Sequence, residues 1–300
     1  MTQVAGRVAP SGSMSWWRRR SVGSAVGKLV SYVLLIVVAM LFMVPFAFVL
    51  SSSLKDPQLV FRVPIQWIPN PIVFQNYPDA LAQLPFFTYM RNSIYLVAGV
   101  ETGRLLSASI TAFAFARLRF RWREPLFLLV LSTMMIPYQV TLIPEFLGFR
   151  ILGWLNSLKP LIVPSFFGGG AFYIFLLRQF FMTIPIDYDE AALIDGASFL
   201  RVFATIILPL SKPALGTVAI FTFMDQWSDL FGPLIYLNTA AKQTLAIGVA
   251  MWQRGSGSPQ VHYFSHTMAV ALLMALPPIL VFFVAQRGFI QGVVISGVKG

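Results

Sequence analysis

Six long apolar segments constrain this chain more than any other feature of its sequence. Each one is long enough to cross roughly 30 Å of hydrocarbon as a helix. Only 11% of the 300 residues are charged, and the mean hydropathy is +0.74. The sequence therefore predicts an all-α integral membrane protein with six transmembrane helices. The segments are Leu29–Leu54, Asn92–Ala116, Pro125–Pro144, Pro160–Leu177, Ala214–Leu237 and a last one that begins near Thr267 and ends by Gln286.

The composition excludes several other classes of protein. The chain has no cysteine, so disulfides and thiolate metal sites are excluded. A net charge of +11 could indicate nucleic-acid binding, but the basic residues are scattered between apolar runs and form no basic face. Membrane topology explains them better, so we expect contact with lipid and no nucleic-acid partner.

The distribution of Lys and Arg predicts the orientation in the membrane. Fourteen of these residues lie in the termini and in the connections on the same side, and seven lie on the opposite side. Because basic residues are enriched in cytoplasmic loops, we expect both termini in the cytoplasm. A basic N-terminal segment (1–28) would precede a membrane domain (29–286) and a cytoplasmic tail (287–300). The fourteen are Arg7, Arg18, Arg19, Arg20, Lys28, Arg117, Arg119, Arg121, Arg123, Arg178, Arg201, Lys212, Arg287 and Lys299.

A polar segment from 187 to 213, here named the docking segment, interrupts the apolar pattern on the predicted cytoplasmic side. Asp187 followed by Glu190 predicts an N-cap and an acid at position N3, with a helix starting near Tyr188. Gly196 can end that helix after about two turns. A helix so short is not stable alone in water, so we expect it to dock on another protein.

The second half of the docking segment predicts another helix. Ser198 can cap an apolar run that ends at Leu208-Pro209. The small side chains of the first half suit close packing into a groove of a partner. Those small residues are Ala191, Ala192 and Ala197, and the apolar run contains Phe199, Val202, Phe203, Ile206 and Ile207.

Charged residues inside the predicted spans need partners or a function, because each is costly in lipid. Glu101 and Arg104 are three residues apart, share a helical face and are predicted to pair with each other. Asp225 and Asp229 lie one turn apart and, with Trp227, could line a translocation pathway. Carboxylates can bind hydroxyl groups, cations or protons, and an indole ring can stack on a sugar. An equally weighted alternative is a helix end or break that faces a wet cavity.

Two histidines four residues apart, His262 and His266, have the spacing of a metal or haem site. No carboxylate or cysteine supports them, so interfacial hydrogen bonding is the favoured interpretation. No Gly-x-Ser-x-Gly sequence is present, and we expect neither catalytic residues nor a metal site. Two other classes stay open: an ion- or proton-coupled secondary carrier that uses Asp225 and Asp229, and an electron-transfer anchor that uses the histidines.

The docking segment resembles the EAA loop of ATP-binding-cassette (ABC) importer permeases. Further pieces are similar to the carbohydrate-uptake branch of that family, and particularly to its maltose-type second permease subunit. One departure is Ser228, where the family usually has Asn. The matching residues are Glu190-Ala191-Ala192, Asp195-Gly196-Ala197 and Leu208-Pro209 in the loop, with Asn92-Ser93, AFAFARLRF at 112–120, Trp227 and Asp229 before Pro233-Leu234, and the closing Ser296–Gly300.

The resemblance implies a type I ABC importer permease fold in a bacterial or archaeal inner membrane. It implies half of a translocation pathway for a sugar or sugar derivative, completed by a second permease subunit. An ATPase dimer would bind ATP and Mg, and an extracytoplasmic substrate-binding protein would deliver the substrate, while this chain would bind no cofactor itself. Carried onto this sequence, Glu190 would pair with a basic residue of the ATPase and Gly196 would make the turn.

Overall fold

The computed structural model describes residues 16–255 and 264–297, with side chains described for 27–251 and 264–285. These residues form helices, with the longest connection at 54–75, and contain no β-strand, which confirms the predicted all-α class. The α-helices are α1 (Trp16–Ser53), α2 (Asn76–Gln83), α3 (Phe86–Arg117), α4 (Arg123–Ser132), α5 (Tyr138–Ile151), α6 (Lys159–Ile162), α7 (Ala171–Thr183), α8 (Asp187–Ile194), α9 (Phe199–Val202), α10 (Leu208–Leu210), α11 (Lys212–Ser228), α12 (Phe231–Tyr236), α13 (Leu245–Gly255) and α14 (Phe264–Gly297).

Three stretches of the described chain are long and apolar enough to cross a membrane. They lie in α1, in α14 and in residues Lys159–Thr183. Two bent pairs would raise the number to five: α4 with α5, bent by 96°, and Phe199–Leu210 with α11, bent by 77°. α3 is not among them, although its 32 residues are long enough for a span. The number of six spans therefore stays a prediction.

The third predicted span is broken rather than straight. The apolar run Pro125–Pro144 predicts one helix, but α4 ends at Ser132 and α5 begins only at Tyr138. Pro137 causes the break, because a residue before proline avoids the helical region, and Ile136 is accordingly extended at φ −82° and ψ 115°.

The predicted boundaries at 29 and 286 are not helix boundaries. α1 begins at Trp16 and continues through position 28 without interruption. α14 continues past position 286 to Gly297. The outermost parts of the predicted terminal segments, residues 1–15 and 298–300, lie outside the described residues.

α3 is a central helix that packs against α4, α7, α11 and α13, whereas α1 packs against α14. Near its C-terminal end, a hydrophobic cluster joins it to α4, α7, α11 and the docking segment. Near its N-terminal end, a second cluster joins it to α2, α13, α14 and the end of α11. The first cluster includes Ala108, Ala112, Phe113, Phe127, Leu177, Phe181, Val202, Ile207 and Val218, and the second includes Ala80, Tyr89, Val97, Trp227, Leu245 and Val270.

Three consecutive glycines let the chain before α7 approach α3 closely. Gly168, Gly169 and Gly170 all have positive φ, at 101°, 63° and 91°. A Cβ added to Gly169 would lie 2.6 Å from the Ala108 backbone nitrogen, which is far inside van der Waals contact. These glycines therefore form a close-packing point, and the cause is the approach of two backbones.

Replacing Gly169 by Ala should sharply reduce the amount of folded protein in the membrane. Gly168→Ala carries a similar backbone strain of about 1–2 kcal/mol but meets no atom within 4 Å. Gly216→Ala, also in open space, should leave the folded amount unchanged. Fluorescence-detected gel filtration of the solubilised variants would measure this order, and equal yields for Gly169→Ala and Gly168→Ala would contradict the close approach.

Candidate functional site

The first helix of the docking segment is α8, and it begins one residue earlier than predicted. Its N-cap is Ile186, with no side-chain cap, and Asp187 is the first helical residue. The backbone N–H groups of Asp189 and Glu190 both donate to the Ile186 carbonyl, at 2.9 and 3.1 Å, so the first turn closes there. The predicted N-cap role of Asp187 is therefore wrong, and the N3 acid is Asp189 rather than Glu190.

Gly196 ends α8, as predicted. Its φ is +80°, a left-handed conformation that glycine adopts without strain. The N–H of Gly196 donates to the Leu193 carbonyl at 3.0 Å, and that of Ala197 donates to the Ala192 carbonyl at 2.9 Å. This pair of hydrogen bonds is a Schellman motif, and it turns the chain sharply after two helical turns.

The second helix of the docking segment begins at Ser198 as predicted but ends later. The Ser198 hydroxyl accepts a hydrogen bond from the Arg201 N–H at 3.4 Å. The predicted end at Leu208-Pro209 is wrong, because helical structure continues to Leu210. A π-helical turn precedes the proline, with the Leu208 N–H bonded to the Phe203 carbonyl, and this wider turn lets the helix accommodate Pro209.

The outer surface of the docking segment is apolar and open. Ile194 is 85% exposed, Leu200 73% and Tyr188 55%. A contiguous exposed apolar surface typically marks an interaction site. The small residues are divided between two roles, since Ala192 and Ala197 pack against the cluster beneath them while Ala191 stays exposed. Of the other predicted site residues, Glu190, Asp195 and Pro209 are exposed and Leu208 packs inward.

A buried ion pair holds the docking segment against α3, and sequence analysis did not predict it. The Nε of Arg117 lies 3.2 Å from Oδ2 of Asp189, and the two side chains are only 6% and 7% exposed. Nη2 of Arg117 also donates to the Ile184 carbonyl at 2.8 Å. Burial raises the pKa of the Asp189 carboxyl, and the charge of Arg117 opposes that shift. Sequence spacing gave no signal, because 72 positions separate the partners.

A cavity of about 470 Å³ lies beside the middle of α3, where α5, α6, α11 and α12 meet it. It contains both of the predicted pathway carboxylates, Asp225 and Asp229, and it also contains Glu145, which sequence analysis did not single out. Its charged and aromatic lining residues are Arg104, Glu145, Asp225, Asp229, Tyr138, Phe231 and Tyr236.

Arg104 pairs with Asp225 across the cavity and not with Glu101, so the predicted Glu101–Arg104 pair is wrong. Nη1 of Arg104 lies 3.3 Å from Oδ2 of Asp225 and donates to the Tyr173 hydroxyl at 3.1 Å. The guanidinium also lies 4.7 Å from the centre of the Tyr173 ring. Glu101 has no hydrogen bond or ion pair within the part of the chain that the structure describes. Three-residue spacing allowed the local pair, but α11 and α7 offer Arg104 three interactions at once.

Asp229 stands at a helix break and at the cavity wall. α11 ends at Ser228, and Asp229 is extended. Its Oδ1 accepts hydrogen bonds from the N–H groups of Phe231 at 2.9 Å and Gly232 at 3.2 Å, which caps the start of α12. The two interpretations of the acidic pair, pathway lining and a break beside a cavity, therefore coincide at this residue.

Trp227 does not line the cavity that contains Asp225 and Asp229, and its assignment to the pathway stays a prediction. Its side chain is buried in the second hydrophobic cluster, where it stacks on Phe223 at a centroid distance of 5.5 Å. The indole N–H donates to the Met274 carbonyl at 3.0 Å. Aromatic rings are instead offered to the cavity by Tyr138, Phe231 and Tyr236.

The two histidines give no support to a metal or haem site. His262 lies outside the described residues, and His266 is buried near the start of α14. Within the described parts of the chain, no group of three or more His, Asp and Glu side chains could hold a metal ion.

Comparison with known proteins gives consistent matches over most of the chain. Residues 105–295 match the family described as binding-protein-dependent transport system inner membrane component. The sn-glycerol-3-phosphate transport system permease protein UgpE of Yersinia enterocolitica is 33% identical in an alignment of 273 positions that covers 88% of this chain and 95% of that protein. UgpE of Salmonella typhi is 31% identical, over 89% of this chain and 95% of its own length.

A solved structure shares the fold. It is a chain from the crystal structure of a bacterial ABC transporter involved in the import of the acidic polysaccharide alginate. The alignment has a TM-score of 0.76 and covers 93% of this chain and 99% of that chain, at 24% sequence identity.

Removing the negative charge of Asp225 should destabilise the protein more than removing that of Glu101. Asp225→Asn deprives Arg104 of its counterion, which for a part-exposed pair should cost about 1 kcal/mol and lower the Tm by a few degrees. Glu101→Gln removes no contact of the described chain and should leave the Tm unchanged. Thermal unfolding of the two purified variants would test this. A larger decrease in Tm for Glu101→Gln than for Asp225→Asn would contradict it and would support the predicted Glu101–Arg104 pair.

Proposed function

We propose that this chain, which belongs to the family of binding-protein-dependent transport system inner membrane components, is the permease subunit of an ATP-driven importer of a sugar or sugar derivative. Its family membership makes it a transport subunit and not an enzyme. In the proposal, ATP-driven movement of the docking segment turns the cavity from one side of the membrane to the other.

The observation that carries the proposal is the docking segment itself. Two short helices are fixed by a Schellman turn and a serine cap, and they present an open apolar surface beside exposed Glu190. Such short helices are marginal in water without a partner. We propose that a cleft of an ATPase receives them, that Glu190 pairs there with a basic residue, and that Gly196 sets the angle between the two helices.

The proposed assembly contains three kinds of partner. A second permease subunit would complete the pathway as a heterodimer, and an ATPase dimer would bind ATP and Mg. An extracytoplasmic binding protein would deliver the substrate. The exposed apolar surface of α1 would face lipid or the second permease. No residue in the most apolar window of its membrane-crossing stretch is buried.

The cavity is the proposed half-pathway. Its carboxylates can accept hydrogen bonds from hydroxyl groups, and its tyrosine rings can pack against the apolar faces of a sugar. The names of the UgpE relatives assign them to transport systems for sn-glycerol-3-phosphate, which is a derivative of a polyhydroxylated compound. These features support Asp225 and Asp229 as pathway residues for a polyhydroxylated substrate. A secondary carrier built on Asp225 and Asp229 would leave the docking segment without a role.

We propose that the chain crosses a bacterial or archaeal inner membrane six times, with both termini in the cytoplasm. In this proposal α3 is one of the six spans, although it contains charged residues. The Arg117–Asp189 contact supports this orientation, because it places the basic connection 117–123 and the docking segment at the same end of α3. Both belong to the side that the excess of basic residues assigns to the cytoplasm.

Glu190→Ala should reduce uptake at least tenfold and release the ATPase from the purified complex, while the permease stays folded. The reason is that Glu190 is exposed, has no partner of its own within the described chain, and would lose an intermolecular ion pair. Asp187→Ala is the matched control, since it removes an exposed acid from the same helical turn. Co-purification and uptake would be measured together. Equal effects of the two variants would contradict the assignment to Glu190, and normal uptake by Glu190→Ala would refute the docking role.

A further inference from the structure

We propose that Arg117 is the positioning residue that transmits movement of the docking segment to the cavity, through α3. The inference rests on the proposed function, since it presumes that an ATPase moves the docking segment. It assigns a role to a residue that lies outside both the docking surface and the cavity.

Arg117 bridges three elements with one guanidinium group. It is the last residue of α3, its Nη2 donates to the carbonyl of Ile184, the residue that follows α7, and its Nε faces Asp189 of α8 at 3.2 Å. Water cannot replace these contacts readily, because both side chains are almost fully buried. A buried ion pair of this kind is costly to separate, so α8 and the end of α3 should move together.

α3 can carry that movement to the cavity because it is one continuous helix. It contains no proline and holds Arg104 thirteen positions before Arg117, a distance of about 20 Å along the axis. The structure places Arg104 at the cavity wall, paired with Asp225 of α11. Each of the two arginines therefore joins α3 to a different element, one at the docking segment and one at the cavity.

A second connection runs from the docking segment to the same place. α9, the π-helical turn and α10 lead directly into α11, with a 77° bend before it, and α11 carries Asp225. The docking segment, α3 and α11 thus form a closed linkage whose far joint is the Arg104–Asp225 pair. When α8 is displaced, α3 is moved through Arg117 and α11 through the bend that precedes it, so the separation of α3 and α11 at that joint should change.

Another buried arginine at the same end of α3 provides a matched control. Arg178 of α7 donates through Nε to the Phe115 carbonyl at 3.2 Å and through Nη2 to Glu124 of α4 at 3.0 Å. Its side chain is 8% exposed, against 6% for Arg117, but within the described residues no hydrogen bond or ion pair joins it to the docking segment. A purely structural role would therefore give Arg178→Gln and Arg117→Gln the same consequences.

The test measures the separation of α3 and α11 in the assembled importer. Because the chain has no cysteine, spin labels can be attached selectively at two cysteines introduced together as Thr102→Cys and Ser228→Cys. Pulsed electron-spin distances would be recorded in nanodiscs without nucleotide and after trapping with ATP, Mg and vanadate. The label pair should shift on trapping in the otherwise unchanged protein. Asp189→Asn and Arg117→Gln should reduce that shift at least twofold while the ATPase stays bound, and Arg178→Gln should keep it.

Two outcomes would overturn the inference: an unchanged shift in Asp189→Asn, or an equal loss of the shift in Arg178→Gln. Asp189→Asn preserves the volume of the side chain, so it decides the question even if Arg117→Gln does not assemble. An importer that recruits no ATPase before any substitution would instead refute the proposed function, and that failure is seen in the composition of the complex rather than in the distances.

Discussion

The burial of the Arg117 guanidinium against the docking segment is the contact on which the proposed mechanism depends. Without it, α8 would be a two-turn helix joined to the protein only through its own chain and a few small residues. With it, the docking segment is joined directly to α3, the 32-residue helix that contributes to both hydrophobic clusters. The contact is ionic and yet almost dry, so it resists displacement more than an exposed pair would.

Few residues of this protein are charged, and several of its arginines connect one helix to another. Arg104 joins α3 to α11 and α7, Arg117 joins it to α8, and Arg178 joins α7 to α4. An apolar surface alone would let helices slide, because lipid and side chains are similarly apolar. Ion pairs and hydrogen bonds of guanidinium groups fix relative positions instead. The cavity lies where one of these joints, a helix break at Asp229 and the glycine approach at 168–170 come together.

Local features of the chain could be predicted from its sequence, and long-range partners could not. The all-α class, the turn at Gly196 and the cap at Ser198 depend on residues within a few positions, and the structure agrees with them. The predicted Glu101–Arg104 pair is wrong, and Trp227 lies apart from the cavity of Asp225 and Asp229, because helix rotation and tertiary contacts decide where side chains point. Asp189 was overlooked for the same reason: its partner lies on α3, five helices earlier in the chain. Pro137 is a local signal for the break between α4 and α5, but the apolar run continues across that proline and therefore predicts one span.

Site-specific photo-crosslinking from the docking segment in intact cells would test the central claim most directly. A photoreactive residue at Ile194, which is 85% exposed on α8, should form a covalent product with an ATPase subunit. The same residue at Ile68, 82% exposed between α1 and α2 on the opposite predicted side, should form none. An ATPase product from Ile68, or no ATPase product from Ile194 in cells that take up the substrate, would contradict the account.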